Sequence, residues 1–238
     1  MAKRTLGRVV LLALMLAVLL TGCVGGGEAR TDTARVELGG AESAQVHIAM
    51  SAGGLVIHGG AEDLLEAEFT YSSDSWKPEV DYTVSGGEGL LTIKQPSEVG
   101  TIGFPGVEYK WDLRFNSEVP MEMKIDIGAG GGELQLGDLN LRVLNIDVSV
   151  GGADIDLTGD WEADLEASIH GGVGGVNLVL PRDVGVRVKA DAGLGGVNAE
   201  DLNQDGDFYT NDAYGQTDVS LEIRVEVGVG GVELSLRG

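Results

Sequence analysis

A chain of 238 residues with 38 Asp and Glu against 16 Lys and Arg carries a formal net charge of −22 at pH 7, which argues against a nucleic-acid partner because phosphate backbones are bound by cations. Hydrophobic residues make up 43% but aromatics only 5%, so the core must be aliphatic. Thirty-nine glycines beside five prolines, with no period of three, exclude collagen and point to an architecture of many sharp corners.

At the N-terminus Lys3, Arg4 and Arg8 precede an apolar run from Val9 to Leu20, too short to span a bilayer comfortably. The run ends in LTGC, Leu20 to Cys23, which resembles the lipobox of bacterial lipoproteins. Residues 1–22 then read as a lipoprotein signal peptide. The resemblance implies cleavage before Cys23, a lipid on its thiol and acylation of the new N-terminus. Cys23 is the only cysteine, so no intramolecular disulfide can form. Without residues 1–22 the chain has 13 Lys and Arg against 38 Asp and Glu, a net charge of −25. Such a surface repels anionic head groups, so acyl chains must hold the protein to a membrane. Residues 23–35, Gly-rich and polar, read as a lipidated flexible tether with a reach of about 20 Å.

From Val36 onward the dominant signal is period-two alternation, and no amphipathic helix is evident. Leu65, Ala67, Phe69 and Tyr71 alternate with Glu66, Glu68 and Thr70. Leu144, Ile146, Val148 and Val150 do so with Asn145, Asp147 and Ser149, and Val219 through Val229 form a third such run. Each strand is expected to turn its aliphatic face to a core and its acidic face to water.

Glycine pairs recur ahead of these alternations: GGGELQL from Gly130, GGADIDL from Gly151, GGVNLVL from Gly174, GGVNAED from Gly195 and GGVELSL from Gly230. Taking Gly132, Gly152, Gly175, Gly196 and Gly231 as equivalent, the spacings are 20, 23, 21 and 35 residues, a period of about 21 with one insertion. A unit of that size cannot bury its own face, so units must stack. The expected fold is all-β, a β-solenoid or rack-like stack of short strands with Gly-Gly corners, the competing architecture being a β-sandwich. The prolines and glycines between Gln95 and Tyr109 suggest a boundary, giving an N-terminal β domain over 36–110 and a glycine-cornered repeat domain over 111–238.

The segment GGAEDLLEAEFTYSSDSWKPEVDY, Gly59 to Tyr82, resembles the N-terminal domain of bacterial toast-rack proteins. The glycine-spaced strands from Met121, with the closing FYTNDAYGQTDVSLEIRVEVGVGGVEL, are similar to the β-repeat domain of toast-rack proteins, cell-wall-active antibiotic response proteins and surface adhesins. The resemblance implies a rack-like fold outside the cell membrane, in some members linked to envelope stress. It carries no catalytic residues to transfer.

One motif has metal-ligand spacing. DLNQDGDFYTND, Asp201 to Asp212, fits a calcium loop with Asp201, Asn203 and Asp205 at positions one, three and five, Gly206 at the sharp turn, Asp207 offering its carbonyl, and Asp212 at the closing position. The competing reading is a solvated acidic connection between strands. His47, His58 and His170 are too scattered for zinc, and the glycine clusters form neither G-x-G-x-x-G nor a P-loop. Trp76, Trp111 and Trp161 are expected to plug seams of the core, or else to stack on sugars.

The sequence therefore predicts an extracytoplasmic, lipid-anchored, non-enzymatic protein with a binding or structural role at the cell envelope. Its expected partners are the membrane through its lipid and an envelope polymer or protein, with no nucleic acid and no cofactor unless calcium. A calcium-stabilised module and a polysaccharide-active β-helix enzyme are the alternatives.

Overall fold

The structure, a computed structural model, describes residues 29–96 and 108–238. Cys23 and the signal-peptide segment lie outside those residues. In chain order the strands are β1 (Arg30–Val36), β2 (Ser43–Gly59), β3 (Leu65–Tyr71), β4 (Glu79–Ser85), β5 (Glu88–Lys94), β6 (Tyr109–Phe115), β7 (Met121–Gln135), β8 (Leu141–Asp156), β9 (Leu165–Pro181), β10 (Gly185–Ala199), β11 (Asn203–Asp205), β12 (Phe208–Thr210) and β13 (Ser220–Arg237). They form one sheet in the order β1-β3-β6-β2-β7-β8-β9-β13-β10-β12-β11, with β5 also on β2 and β4 on β5.

Six of these strands, β2, β7, β8, β9, β13 and β10, are 15 to 18 residues long and parallel. Each bends at its glycines into two arms. In β7, Met121, Met123, Ile125 and Ile127 are buried before the corner and Leu134 after it; in β13 the same holds for Leu221, Ile223, Val225 and Val227, then Val232 and Leu234. Both sets belong to one hydrophobic cluster, so the sheet folds along the glycine line and closes an aliphatic core between its arms.

The corner is a ladder. Gly53, Gly130, Gly151, Gly174, Gly230 and Gly195 lie in register on adjacent strands, all with φ between 132° and 159°. A Cβ on Gly151 would collide with the carbonyl oxygen of Gly130, and the same collision repeats up the ladder. Glycine is therefore required here both by the left-handed backbone and by the approach of the next strand.

Four expectations change. The corner inverts the pleat: Val227 and Val232 both face inward, five residues apart, so Val150 and Val229, expected in the core, stand exposed at the apex beside Val173 and Leu194. Register pairs Gly131, rather than Gly132, with Gly152. The repeats do not stack in chain order, because β13 enters between β9 and β10. Arg30 to Arg35, assigned to the tether, form β1, whose pairing with β3 is fixed by Tyr71 donating to Asp32 at 2.6 Å, Lys77 at 3.0 Å from Asp32, and Arg35 on Asp63 and Glu66.

The segments separated in the sequence at about residue 110 share this sheet. β2 pairs with β7 from Ala44↔Met121 to Ile57↔Leu134, and one core runs through both. β2 holds two further neighbours on its other edge, β5 along Ser43–Ala49 and β6 along Gly54–Gly59.

Candidate functional site

The outer face of the first arms is built of rungs, one side chain per strand. One rung runs Gln45, Glu122, Val143, Glu166, Glu222, Arg187; the next runs His47, Lys124, Asn145, Ser168, Arg224, Lys189; the third runs Ala49, Asp126, Asp147, His170, Glu226, Asp191. Parallel register and a period of two impose this arrangement. Acids dominate the outer rungs and the middle one has none.

At the β8–β9–β13–β10 end of this face lies a groove of about 540 Å³ lined by Val143, Asn145, Glu166, Ser168, Arg187, Lys189, Phe208, Glu222 and Arg224. Its end wall is β12, which pairs antiparallel with the first arm of β10 and sets Phe208 opposite Lys189. The Arg187 guanidinium lies 4.2 Å from the centre of the Phe208 ring and the Lys189 ammonium 5.9 Å from it. Arg187 reaches Glu222 at 3.6 Å and Arg224 reaches Glu226 at 3.3 Å. The Tyr214 hydroxyl donates to Glu222 at 2.7 Å, and that bond to a carboxylate, ahead of burial, raises the phenol above its usual range.

β12 owes its position to Asn211. This buried side chain accepts from the Val186 N–H at 3.0 Å and donates to the carbonyls of Pro181 at 3.1 Å and Val184 at 2.6 Å. It locks the insertion onto the β9–β10 connection, and the groove exists because of it.

The Asp201–Asp212 stretch forms the hairpin of β11 and β12, turning at Gly206–Asp207 with Gly206 at φ 60°. A hairpin spreads alternate side chains along its faces instead of converging them. Asp201 pairs with Arg182 at 2.8 Å, Asp212 accepts from Asn203 at 2.9 Å, and Asp205 is exposed. Among the described residues no group of three or more His, Cys, Asp or Glu side chains is arranged to hold a metal ion.

The histidines face outward on carboxylates: His47 on Asp126 at 2.7 Å, His58 on Asp112 at 2.9 Å, His170 near Asp147 at 3.5 Å. Burial alone would raise the Asp126 carboxyl, but hydrogen bonds from His47 and Lys124 outweigh it and hold the group below its usual range. Trp111 is fully buried, while Trp76 and Trp161 pack on the core, so the tryptophans plug seams. Phe208, to which the sequence assigned no role of its own within the Asp201–Asp212 stretch or the closing segment, is the aromatic of the groove. The usable signal was Arg187 and Lys189 spaced by two in a chain so poor in cations.

A folded rack of long bent strands with in-register glycine corners defines the class. A profile described as the N-terminal domain of toast rack matches residues 25–179, and one described as the C-terminal part of the cell wall-active antibiotics response protein LiaF matches 131–234. The chain belongs to the toast-rack family. A crystal structure described as a "putative cell adhesion protein" from Clostridium sporogenes is similar at 32% identity and a TM-score of 0.82, over 88% of this chain and 100% of that one. A "putative adhesin" from Bacteroides fragilis aligns at 14% identity and a TM-score of 0.32, over 87% of this chain and 96% of that one. No curated protein matches. The match to the LiaF C-terminal part and the 32%-identical structure give the protein a role at the cell surface or envelope.

Proposed function

We propose that this protein is an extracytoplasmic lipoprotein, anchored through Cys23, that binds an envelope component without transforming it. The observation that carries the binding reading is the groove: it is open, lined by permanent charges and one aromatic face, and built from rigid parallel strands. Rigid elements are the scaffold on which preformed binding surfaces keep their geometry. The family relationship and the 32%-identical cell adhesion structure support the same reading.

The strand order supports a display role. β1, into which the N-terminal chain leads, lies eight inter-strand steps from β10, up to about 40 Å at roughly 4.8 Å per step. Six residues separate Cys23 from Arg30, fewer than the tether expected from sequence. The groove then stands away from the membrane, with the rack as its spacer.

Two measurements test this. Cys23→Ser should move the protein from the membrane fraction to the soluble extracytoplasmic fraction; retention in the membrane sinks the anchor. Full-length protein in detergent micelles should sediment with isolated cell envelopes and leave their polymers uncleaved. Failure to sediment, or release of polymer fragments, sinks the binding reading.

A further inference from the structure

Lys189 on β10 and Arg224 on β13 are registered directly opposite each other. Like charges facing across neighbouring strands repel and destabilise a sheet. Acids outnumber bases 38 to 16 here, so a neutral or acidic partner was the readier choice at either position. Arg187 adds a third cation two residues from Lys189 on the same face. Glu222 and Glu226 answer Arg187 and Arg224, but among the described residues no carboxylate lies within 4.0 Å of the Lys189 ammonium. The repulsion is left standing where the groove opens.

The pair is part of a longer track. His47, Lys124, Asn145, Ser168, Arg224, Lys189 and Phe208 follow one another on seven adjacent strands, with no carboxylate in the row. Six steps at roughly 4.8 Å make it about 29 Å long. Glu122, Glu166 and Glu222 border it on one side, and Asp126, Asp147, Glu226 and Asp191 on the other. A polyanion is repelled by both borders and can lie only along the middle row.

We propose that this row binds an anionic envelope polymer laid across the strands, with one phosphate or carboxylate group seated among Arg187, Lys189 and Arg224 and the adjoining sugar or polyol against Phe208. An anion there relieves the Lys189–Arg224 repulsion. Asn145 and Ser168 offer hydrogen bonds to the next repeat, and the Phe208 ring gives a flat apolar contact whose position the two stacked cations fix. The inference rests on the binding reading above and names the chemistry of its ligand.

The test uses the full-length protein in detergent micelles at low ionic strength, passed over immobilised poly(glycerol phosphate), polygalacturonate and dextran. Retention is expected on a polyanion and not on dextran; retention on the phosphate polymer alone, or on the carboxylate polymer alone, identifies which group the site takes. The double variant Lys189→Gln with Arg224→Gln should weaken retention at least tenfold. Lys110→Gln, an exposed cation on the second-arm face, should leave it unchanged. Lys189→Gln alone should fold with an equal or higher thermal midpoint, since it removes a repulsion.

Wild-type protein retained on neither polyanion, retention on dextran as strong, a double variant that binds like wild type, or a loss with Lys110→Gln as large as with the double variant would each overturn the proposal. Sedimentation with isolated envelopes separates the two failures. Protein that sediments but ignores polyanions keeps its binding role and loses this ligand; protein that does not sediment loses both.

Discussion

Gly174 and Gly230 stand opposite each other on β9 and β13, so close that a Cβ on Gly230 would overlap the carbonyl oxygen of Gly174. Gly230 also has φ 143°, so alanine there meets a strained backbone as well as a collision. The two effects together should cost about 3 kcal/mol or more, read as a lowered urea midpoint for Gly230→Ala. Gly196, one step beyond the ladder, has nothing within 4 Å of an added Cβ. Gly196→Ala should change stability by less than about 0.5 kcal/mol.

Asn211→Ala should orphan the Val186 N–H and the carbonyls of Pro181 and Val184 in the interior. Leaving buried polar groups unpaired costs about 1–3 kcal/mol each, with partial relief if water enters, so a loss near 3 kcal/mol is expected. Asn211→Asp should be at least as damaging, because a carboxylate cannot donate to the carbonyls that the amide now serves. Faster hydrogen exchange at Phe208–Thr210 in both variants would report release of β12; unchanged exchange would contradict the clamp.

The start of β1 should be pH-sensitive at both extremes. Asp32 is held below its usual range by hydrogen bonds from Tyr71 and then Lys77, so its contribution is present above about pH 3.9 and is lost as pH falls through the depressed folded value. Tyr71 is raised, by burial first and by Asp32 second, so its contribution persists up to about pH 10 and is lost above. Exchange protection of the Arg30–Thr33 amides, corrected for intrinsic rates, should form a plateau between these limits. Tyr71→Phe should shrink the acid-side step and leave the part that Lys77 supports; an unaltered step would refute the assignment.

Deleting residues 220–238 distinguishes a stack in chain order from the observed one. Were β13 the terminal unit, its loss would trim one end. Here it is hydrogen-bonded on both sides, to β9 and to β10. The truncated chain should lose its cooperative transition, with β10, β11 and β12 left unprotected to proteolysis. A truncated chain that unfolds with the same cooperativity would contradict the strand order.

Much of the architecture was legible locally. The Leu65–Tyr71 alternation is β3 residue for residue, and the glycine pairs are corners in every copy from Gly130 onward. Val150 and Val229 misled because alternation was extended through a corner that shifts the pleat by one. The acids and glycine of Asp201–Asp212 fit a calcium loop equally well as a hairpin, since a tight turn needs Gly206 in either case. The placing of β12 rests on Asn211, a side chain whose contacts with Val186, Pro181 and Val184 cannot be read from spacing.

Composition and period together determined an aliphatic, glycine-cornered β stack, because alternation and left-handed glycines are local properties that each segment carries alone. Strand order was not among them. Every repeat presents the same glycines in the same phase, so β13 satisfies β9 as well as β10 does, and only the long-range closure around the Asp201–Val219 insertion chose its place. That choice brought Arg224 beside Lys189 and Ser168, and so the groove is a product of tertiary register, assembled from residues up to 81 positions apart between Val143 and Arg224.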